Sequence, residues 1–285
     1  MPSSVAIAPT SIIEIARQEN VATTQGDPLK AASTGQAVEQ DRNKRIRLPF
    51  PASAGVNFHE VKSCLNSQAV VVTAGRVKPR LRGVFHELGF YAALGLGTAL
   101  VVTADGERAR TAAAVFAGSV AFCFGASALY HRPTWRPTVR AWLARLDHAG
   151  VFLLIAGTYT PFALLVMSED WAVPVMTIVW TGAVGATLLK LFWFRAPKWL
   201  SAAIGVALGW VSAAAFSQLL KVPAPGLALV VAGGFLYTLG AAVYAYRRPD
   251  PYPQVFGYHE LFHVLTLGGV GCQYAAIAFF VLPRA

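Results

Sequence analysis

Charged side chains are scarce in this 285-residue sequence, where Asp, Glu, Lys and Arg make up 13% of the positions. An ordinary soluble domain contains roughly 25% of these residues, so the low share argues against a soluble globular protein. Cysteine is also rare, and Cys64, Cys123 and Cys272 form no CxxC pair. The sequence therefore excludes a disulfide framework and gives no sign of thiol chemistry.

Apolar residues, in contrast, are abundant. They make up 55% of the sequence, and the mean hydropathy is +0.49. The formal net charge is +10. On so hydrophobic a chain, basic charge reports membrane topology more often than a nucleic-acid partner. We therefore expect an integral membrane protein that binds no nucleic acid.

Residues 84–285 divide into apolar blocks of about 20 residues, the length at which a helix crosses roughly 30 Å of hydrocarbon. This pattern predicts an all-α integral membrane fold, a bundle of seven transmembrane helices. The seven predicted spans are Val84–Val102, Thr111–Tyr130, His148–Met167, Trp171–Leu189, Trp199–Leu220, Gly226–Tyr246 and Tyr258–Leu282.

Residues 1–83 differ from the rest of the chain. They hold 11 Lys and Arg against 6 Asp and Glu, and no apolar run long enough to cross a bilayer. Met1 is not followed by the pattern of a signal peptide. We expect a disordered cytoplasmic tail, with one short helix around Ser11–Gln18.

The distribution of Lys and Arg near the ends of the spans predicts the orientation. Twelve of these residues fall on the side that includes the N-terminal tail, against four on the other side. By the positive-inside rule, the N-terminus is cytoplasmic. After seven crossings the C-terminus lies outside, and we expect a multi-pass protein of the plasma membrane of a bacterial cell.

Ionisable residues collect at the predicted cytoplasmic ends of the spans. Such groups at membrane depth are costly and usually face the interior of the bundle, where they mark a site. Five of the six histidines and three acids share this layer: His86, His131, His148, His259, His263, Glu87, Asp147 and Glu260.

The spacing of the histidines predicts a metal site. His259 and His263 are four residues apart and so share one face of the seventh helix, and His131 could add a third nitrogen. Three protein ligands plus a water are typical of catalytic zinc. Ser127 shares the face of His131, and Asp147 could serve as general base or orient a ligand.

Other interpretations remain open for these residues. A histidine near a membrane boundary is often interfacial, and we expect His86 and His148 to be supporting residues rather than ligands. Asp147 could instead pair with Arg145 at the start of a helix. The run His259–His263 also matches HExxH, the signature of a zinc metalloprotease. However, no His, Asp or Glu follows His263 to supply a third ligand further along.

Three motifs together resemble the hemolysin III family, the bacterial branch of the progestin and adipoQ receptors, which include the adiponectin receptors. The motifs are Ser127–His131, Leu146–Pro161 and His259–His263. They occur in the family's order and on the matching helices, and the resemblance extends from about Arg80 to Leu282.

The resemblance implies a seven-helix bundle with a zinc ion near the cytoplasmic face. It assigns His131, His259 and His263 as zinc ligands, with Ser127 and Asp147 as their polar partners. The sequence differs from the family at one position. The animal receptors have an acidic residue several positions before the histidine of the first span. Here Arg76–Phe85 contains no acid, and Glu87 is the nearest candidate.

The family is related to alkaline ceramidases, so our leading hypothesis is a zinc-dependent hydrolase acting on a lipid amide. In this hypothesis Asp147 and Ser127 are the catalytic residues, and the partner is a membrane lipid. A haemolytic, pore-forming protein with structural zinc is the second hypothesis, after the activity that named the family. A membrane-sensing receptor without turnover is the third, and a metalloprotease is a minor alternative.

Overall fold

The computed structural model describes residues 78–193 and 197–284. The disorder predicted for the tail and its helix at Ser11–Gln18 fall almost wholly on residues 1–77, outside this part. The helices, in chain order, are α1 Val84–Thr103, α2 Gly106–His131, α3 Pro137–Leu165, α4 Glu169–Phe192, α5 Lys198–Gly209, α6 Val211–Ala214, α7 Phe216–Leu219, α8 Ala224–Tyr246 and α9 Tyr258–Ala276. A π-helical turn and a 3₁₀ turn then extend α9 to Arg284.

The prediction of an all-α membrane protein is confirmed. In the described part of the chain, six helices are long and apolar enough to cross a membrane. Two of them begin five or more residues before the predicted spans, α2 at Gly106 and α3 at Pro137. Proline suits the first turn of a helix because its missing N–H is not needed there, so α3 starts at Pro137, ahead of the apolar block, and ends at Leu165.

The predicted count of seven long spans is not confirmed, because the fifth block is broken. Its longest piece, α5, has 12 residues, and the helix is interrupted at Trp210 and Ala215. The two ends of the block nevertheless contact opposite ends of the bundle. The Lys198 Nζ donates to the Tyr258 hydroxyl (3.2 Å) at the start of α9, whereas Gln218 accepts from the Ser168 N–H (3.2 Å) before α4.

The Tyr159 hydroxyl on α3 stabilises this break. It lies 2.5 Å from the Gly209 carbonyl and 3.0 Å from the Leu208 carbonyl, and it accepts from the Ser212 N–H at 2.8 Å. A helix interruption leaves backbone groups unpaired, and hydrocarbon offers them no water. Tyr159 therefore supplies hydrogen bonds that the broken helix has lost.

Close packing of α2 against α3 sets the position of the site. A Cβ atom at Gly150 would lie 2.9 Å from the Cys123 Cα, and one at Gly157 would overlap the Ser119 side chain. Glycine is required at both positions because these helix backbones approach so closely. The contact holds the C-terminal end of α2, with His131, beside the part of α3 that carries Asp147.

We predict that Tyr159→Phe destabilises the fold by about 1–3 kcal/mol, the cost of leaving buried backbone groups unpaired. Thermal unfolding in detergent should show a lower midpoint than in the parent protein. Tyr91→Phe is the matched control, because Tyr91 is 63% exposed on α1. Equal midpoints for the two variants would contradict this role of Tyr159.

Candidate metal site

The last turn of α2 and the first turns of α9 bring three histidines together. One ring nitrogen from each of His131, His259 and His263 lies within 4.8 Å of the others. The His131 and His259 Nε2 atoms are 3.1 Å apart, and all three side chains are buried. The residues predicted as metal ligands from two distant parts of the sequence thus form one cluster.

The donor set of this cluster, three imidazoles, is one that binds zinc in proteins. Zinc binds imidazole nitrogen at about 2.0–2.1 Å, so two nitrogens on one ion lie at most about 4 Å apart. The His131 and His259 nitrogens, 3.1 Å apart, satisfy this limit, and all three donor atoms lie within 4.8 Å of one another. The His263 Nδ1 is buried without a hydrogen-bond partner. Neutral imidazole nitrogens in this number and closeness are typical of a transition-metal site.

Asp147 and Ser127 lie next to the histidine cluster. The Asp147 Oδ2 is 3.7 Å from the His131 Nε2. The Ser127 hydroxyl is buried beside the Asp147 carboxylate but makes no hydrogen bond of good geometry. A carboxylate and a hydroxyl thus stand next to the histidines, available to a water molecule or a substrate.

His86 packs against the cluster without joining it. Its ring stacks on His263 with centroids 3.8 Å apart and an angle of 8° between the planes. It is buried, and neither ring nitrogen has a hydrogen-bond partner. His148 approaches the Ala144 carbonyl (2.6 Å) and the Tyr244 hydroxyl (3.4 Å). Both residues thus lie beside the cluster and outside its three donor atoms.

Glu260, the acid of the HExxH sequence, is fully buried and engaged in structural contacts. It forms an ion pair with Arg82, and its Oε2 accepts from the Gly257 N–H at 2.9 Å. The second contact caps the start of α9, where negative charge also suits the helix dipole. Because its carboxylate already has these partners, Glu260 is poorly placed to act as the base of a metalloprotease.

Arg82 contacts the site through Glu260, but the sequence does not single it out, because membrane topology already explains a basic residue beside a span. The segment before α1 is held to the loop before α9 by the Arg80 N–H on the Gln254 carbonyl (3.1 Å) and the Leu81 N–H on the Val255 carbonyl (3.2 Å). These bonds place Arg82 over Glu260. The signal available in the sequence was a basic residue directly before the first apolar span.

Glu87 lies at the rim of the site rather than in it. It pairs with Arg132 at 2.6 Å, and both side chains are partly exposed. The Lys78 Nζ donates to the Arg132 carbonyl at 3.0 Å. The pKa of Lys78 is lowered mainly by burial and, to a smaller extent, by repulsion from Arg132. Glu87 is thus a partner of a surface arginine.

A cavity of about 480 Å³ opens from the histidine cluster into the bundle. Asp147, His259 and His263 line one part of it, and apolar side chains from α3, α5 and α8 line most of the rest, among them Phe152, Ile155, Val206 and Phe235. Ligand sites are commonly apolar cavities with a few convergent polar groups. This cavity is suited to an apolar chain with a polar end at the histidines.

Comparisons with known proteins agree with the resemblance found in the motifs. The family model described as "Haemolysin-III related" matches residues 74–274. Hemolysin-3 of Bacillus cereus is 33% identical over 150 residues, which are 52% of this chain and 66% of that protein. A hemolysin-3 homolog of Bacillus subtilis (strain 168) is 29% identical over 167 residues, 58% of this chain and 75% of that protein. Since the family model covers the described helices through most of α9, the chain belongs to the haemolysin-III-related family of multi-pass membrane proteins.

Proposed function

We propose that the protein is a zinc-dependent hydrolase that cleaves a lipid amide at the cytoplasmic side of the membrane. The observation that carries this proposal is that Asp147 and two residues of the buried histidine cluster, His259 and His263, line a largely apolar cavity. A lipid chain in that cavity would present its polar end to the histidines.

His131, His259 and His263 would hold the zinc. A bound zinc supplies a Lewis acid for a carbonyl oxygen and lowers the pKa of water to about 7. Asp147 accepts a proton on its carboxylate from the attacking water and passes it to the leaving amine. The Ser127 hydroxyl donates a hydrogen bond to the carbonyl oxygen as negative charge develops there.

The remaining residues around the site orient the histidines and exclude water. His86 covers one face of the His263 ring. The Arg82–Glu260 ion pair fixes the start of α9, from which His259 and His263 project. The apolar lining binds the acyl chain, each buried methylene contributing about 0.8 kcal/mol.

We predict that the purified protein contains about one zinc per chain, the number that one three-histidine site would hold. The double variant His259→Ala/His263→Ala should lose the metal in elemental analysis. His148→Gln is the matched control and should keep it, because His148 is outside the cluster. Zinc retained by a monodisperse double variant would contradict the assignment of the ligands.

We predict that Asp147→Asn lowers amide hydrolysis about 10²–10⁴-fold while the zinc stays bound, because the base is lost and the ligands remain. Ser127→Ala should lower it about 10²–10³-fold. The measurement is fatty-acid release from a panel of ceramides and acyl amides. A parent protein inactive on the whole panel, or a fully active Asp147→Asn variant, would contradict the proposed reaction.

Membrane lysis is a second candidate function, supported by the hemolysin names of the two similar Bacillus proteins. In this case the metal would have a structural role and Asp147 would be dispensable. Red-cell lysis assays should separate the two candidates. We expect Asp147→Asn to abolish any lysis that depends on hydrolysis. Full lysis by this variant, together with loss in the His259→Ala/His263→Ala variant, would favour structural zinc.

A further inference from the structure

Among the polar groups that line the apolar cavity and that the proposed reaction does not use, Gln273 and Tyr237 lie on the two helices α9 and α8. Gln273 on α9 is 5% exposed, and its Nε2 donates to the Val230 carbonyl at 3.2 Å. Its Oε1 is buried without a partner, and so is the hydroxyl of Tyr237 on α8. Both residues line the cavity. Buried polar atoms without partners carry a free-energy cost that a ligand can relieve.

The two side chains lie at neighbouring levels of the α8–α9 contact. The Tyr237 ring packs against Gly269 of α9, and Gln273 packs against Gly233 of α8. Each pair is one helical turn from the other, about 6 Å along the axis. Along the axis of α9, Gly269, which packs against Tyr237, lies about 9 Å from His263, and Gln273 lies about 15 Å from it.

The free atoms are complementary, one donor and one acceptor. Tyr237 can donate its hydroxyl proton, and the Gln273 Oε1 can only accept. Thr158 lies close to the Tyr237 hydroxyl without a hydrogen bond of good geometry, and its own proton goes to the Leu154 carbonyl at 2.7 Å. A hydroxyl group accepts one hydrogen bond and donates another, whereas a ketone only accepts and a methylene does neither.

We propose that Tyr237 and Gln273 form a subsite for a hydroxyl group carried on the acyl chain of the lipid, roughly 9–15 Å from the histidines. The subsite rests on the proposed function, in which a lipid chain occupies the cavity, and it names the substrate class as a lipid amide with a hydroxylated acyl chain. Without the subsite, a hydroxyl in this apolar surrounding would weaken binding.

Binding of free fatty acids tests the subsite independently of turnover. The full-length protein in nanodiscs is titrated with palmitic acid, with its analogues hydroxylated at successive positions, and with the matching keto acids, in competition with a fluorescent fatty acid. We expect a hydroxyl near the middle of the chain to improve affinity about tenfold over palmitic acid, the effect of one or two net hydrogen bonds. The keto acids should show a smaller gain.

The variants Tyr237→Phe and Gln273→Leu should each remove most of this preference and leave the affinity for palmitic acid within about twofold, because neither removes apolar lining. Tyr91→Phe, on the exposed face of α1, is the matched control and should keep the preference. Equal or weaker binding of every hydroxylated acid, a preference unchanged in both variants, or no binding of any chain would overturn the proposal.

The failure of the subsite and the failure of the proposed function give different results. A hydroxyl preference that depends on Tyr237 and Gln273, in a protein that cleaves no amide, would keep the subsite and refute the hydrolase. Hydrolysis of plain acyl amides without any hydroxyl preference would keep the hydrolase and refute the subsite, with ordered water as the partner of the two groups.

Discussion

The hydrocarbon core of a bilayer contains no water, so a polar group within it must find its partner in the protein or in a ligand. This constraint accounts for the unusual features of the bundle. The backbone groups freed where the fifth block breaks are bound by Tyr159. The buried carboxylate of Glu260 is paired with Arg82 and a helix N-terminus. The His263 Nδ1 and, in the cavity, the Gln273 Oε1 and the Tyr237 hydroxyl have no partner in the protein, and under the proposed function a metal and a lipid supply it.

The apolar runs predicted six of the helices well. A run of about twenty apolar residues in lipid must form a helix, because a helix satisfies its backbone hydrogen bonds within the segment. They did not predict the break at Trp210, since its neighbours are as apolar as those of any other span. The break depends on a tyrosine on α3, about 50 positions away in the sequence. The early start of α3 was also missed, because Pro137 and the residues after it are too polar to count as membrane span.

The clustering of the ionisable residues could be expected from topology. Topology alone places the ends of α2, α3 and α9 in one layer, so His131, Asp147 and the His259–His263 pair could be grouped without knowing any packing angle. Arg82 was not foreseen, because a basic residue beside a span has an ordinary explanation in topology. Tyr237 and Gln273 were not foreseen either. Each is a single polar residue in an apolar run, and its free atom becomes visible only when the neighbouring helix is in place.

The two acids nearest the histidines, Glu260 and Asp147, differ in the groups that they contact. Glu260 lies between two of the clustered histidines in the sequence, but the Arg82 guanidinium and the Gly257 N–H occupy its oxygens. Asp147 comes from a different helix, lies 3.7 Å from the His131 Nε2, and lines the cavity from which a substrate would approach. A base must reach both the attacking water and the substrate. Glu260 therefore holds the start of α9 in place, and in the proposed hydrolase Asp147 is the acid placed to transfer the proton.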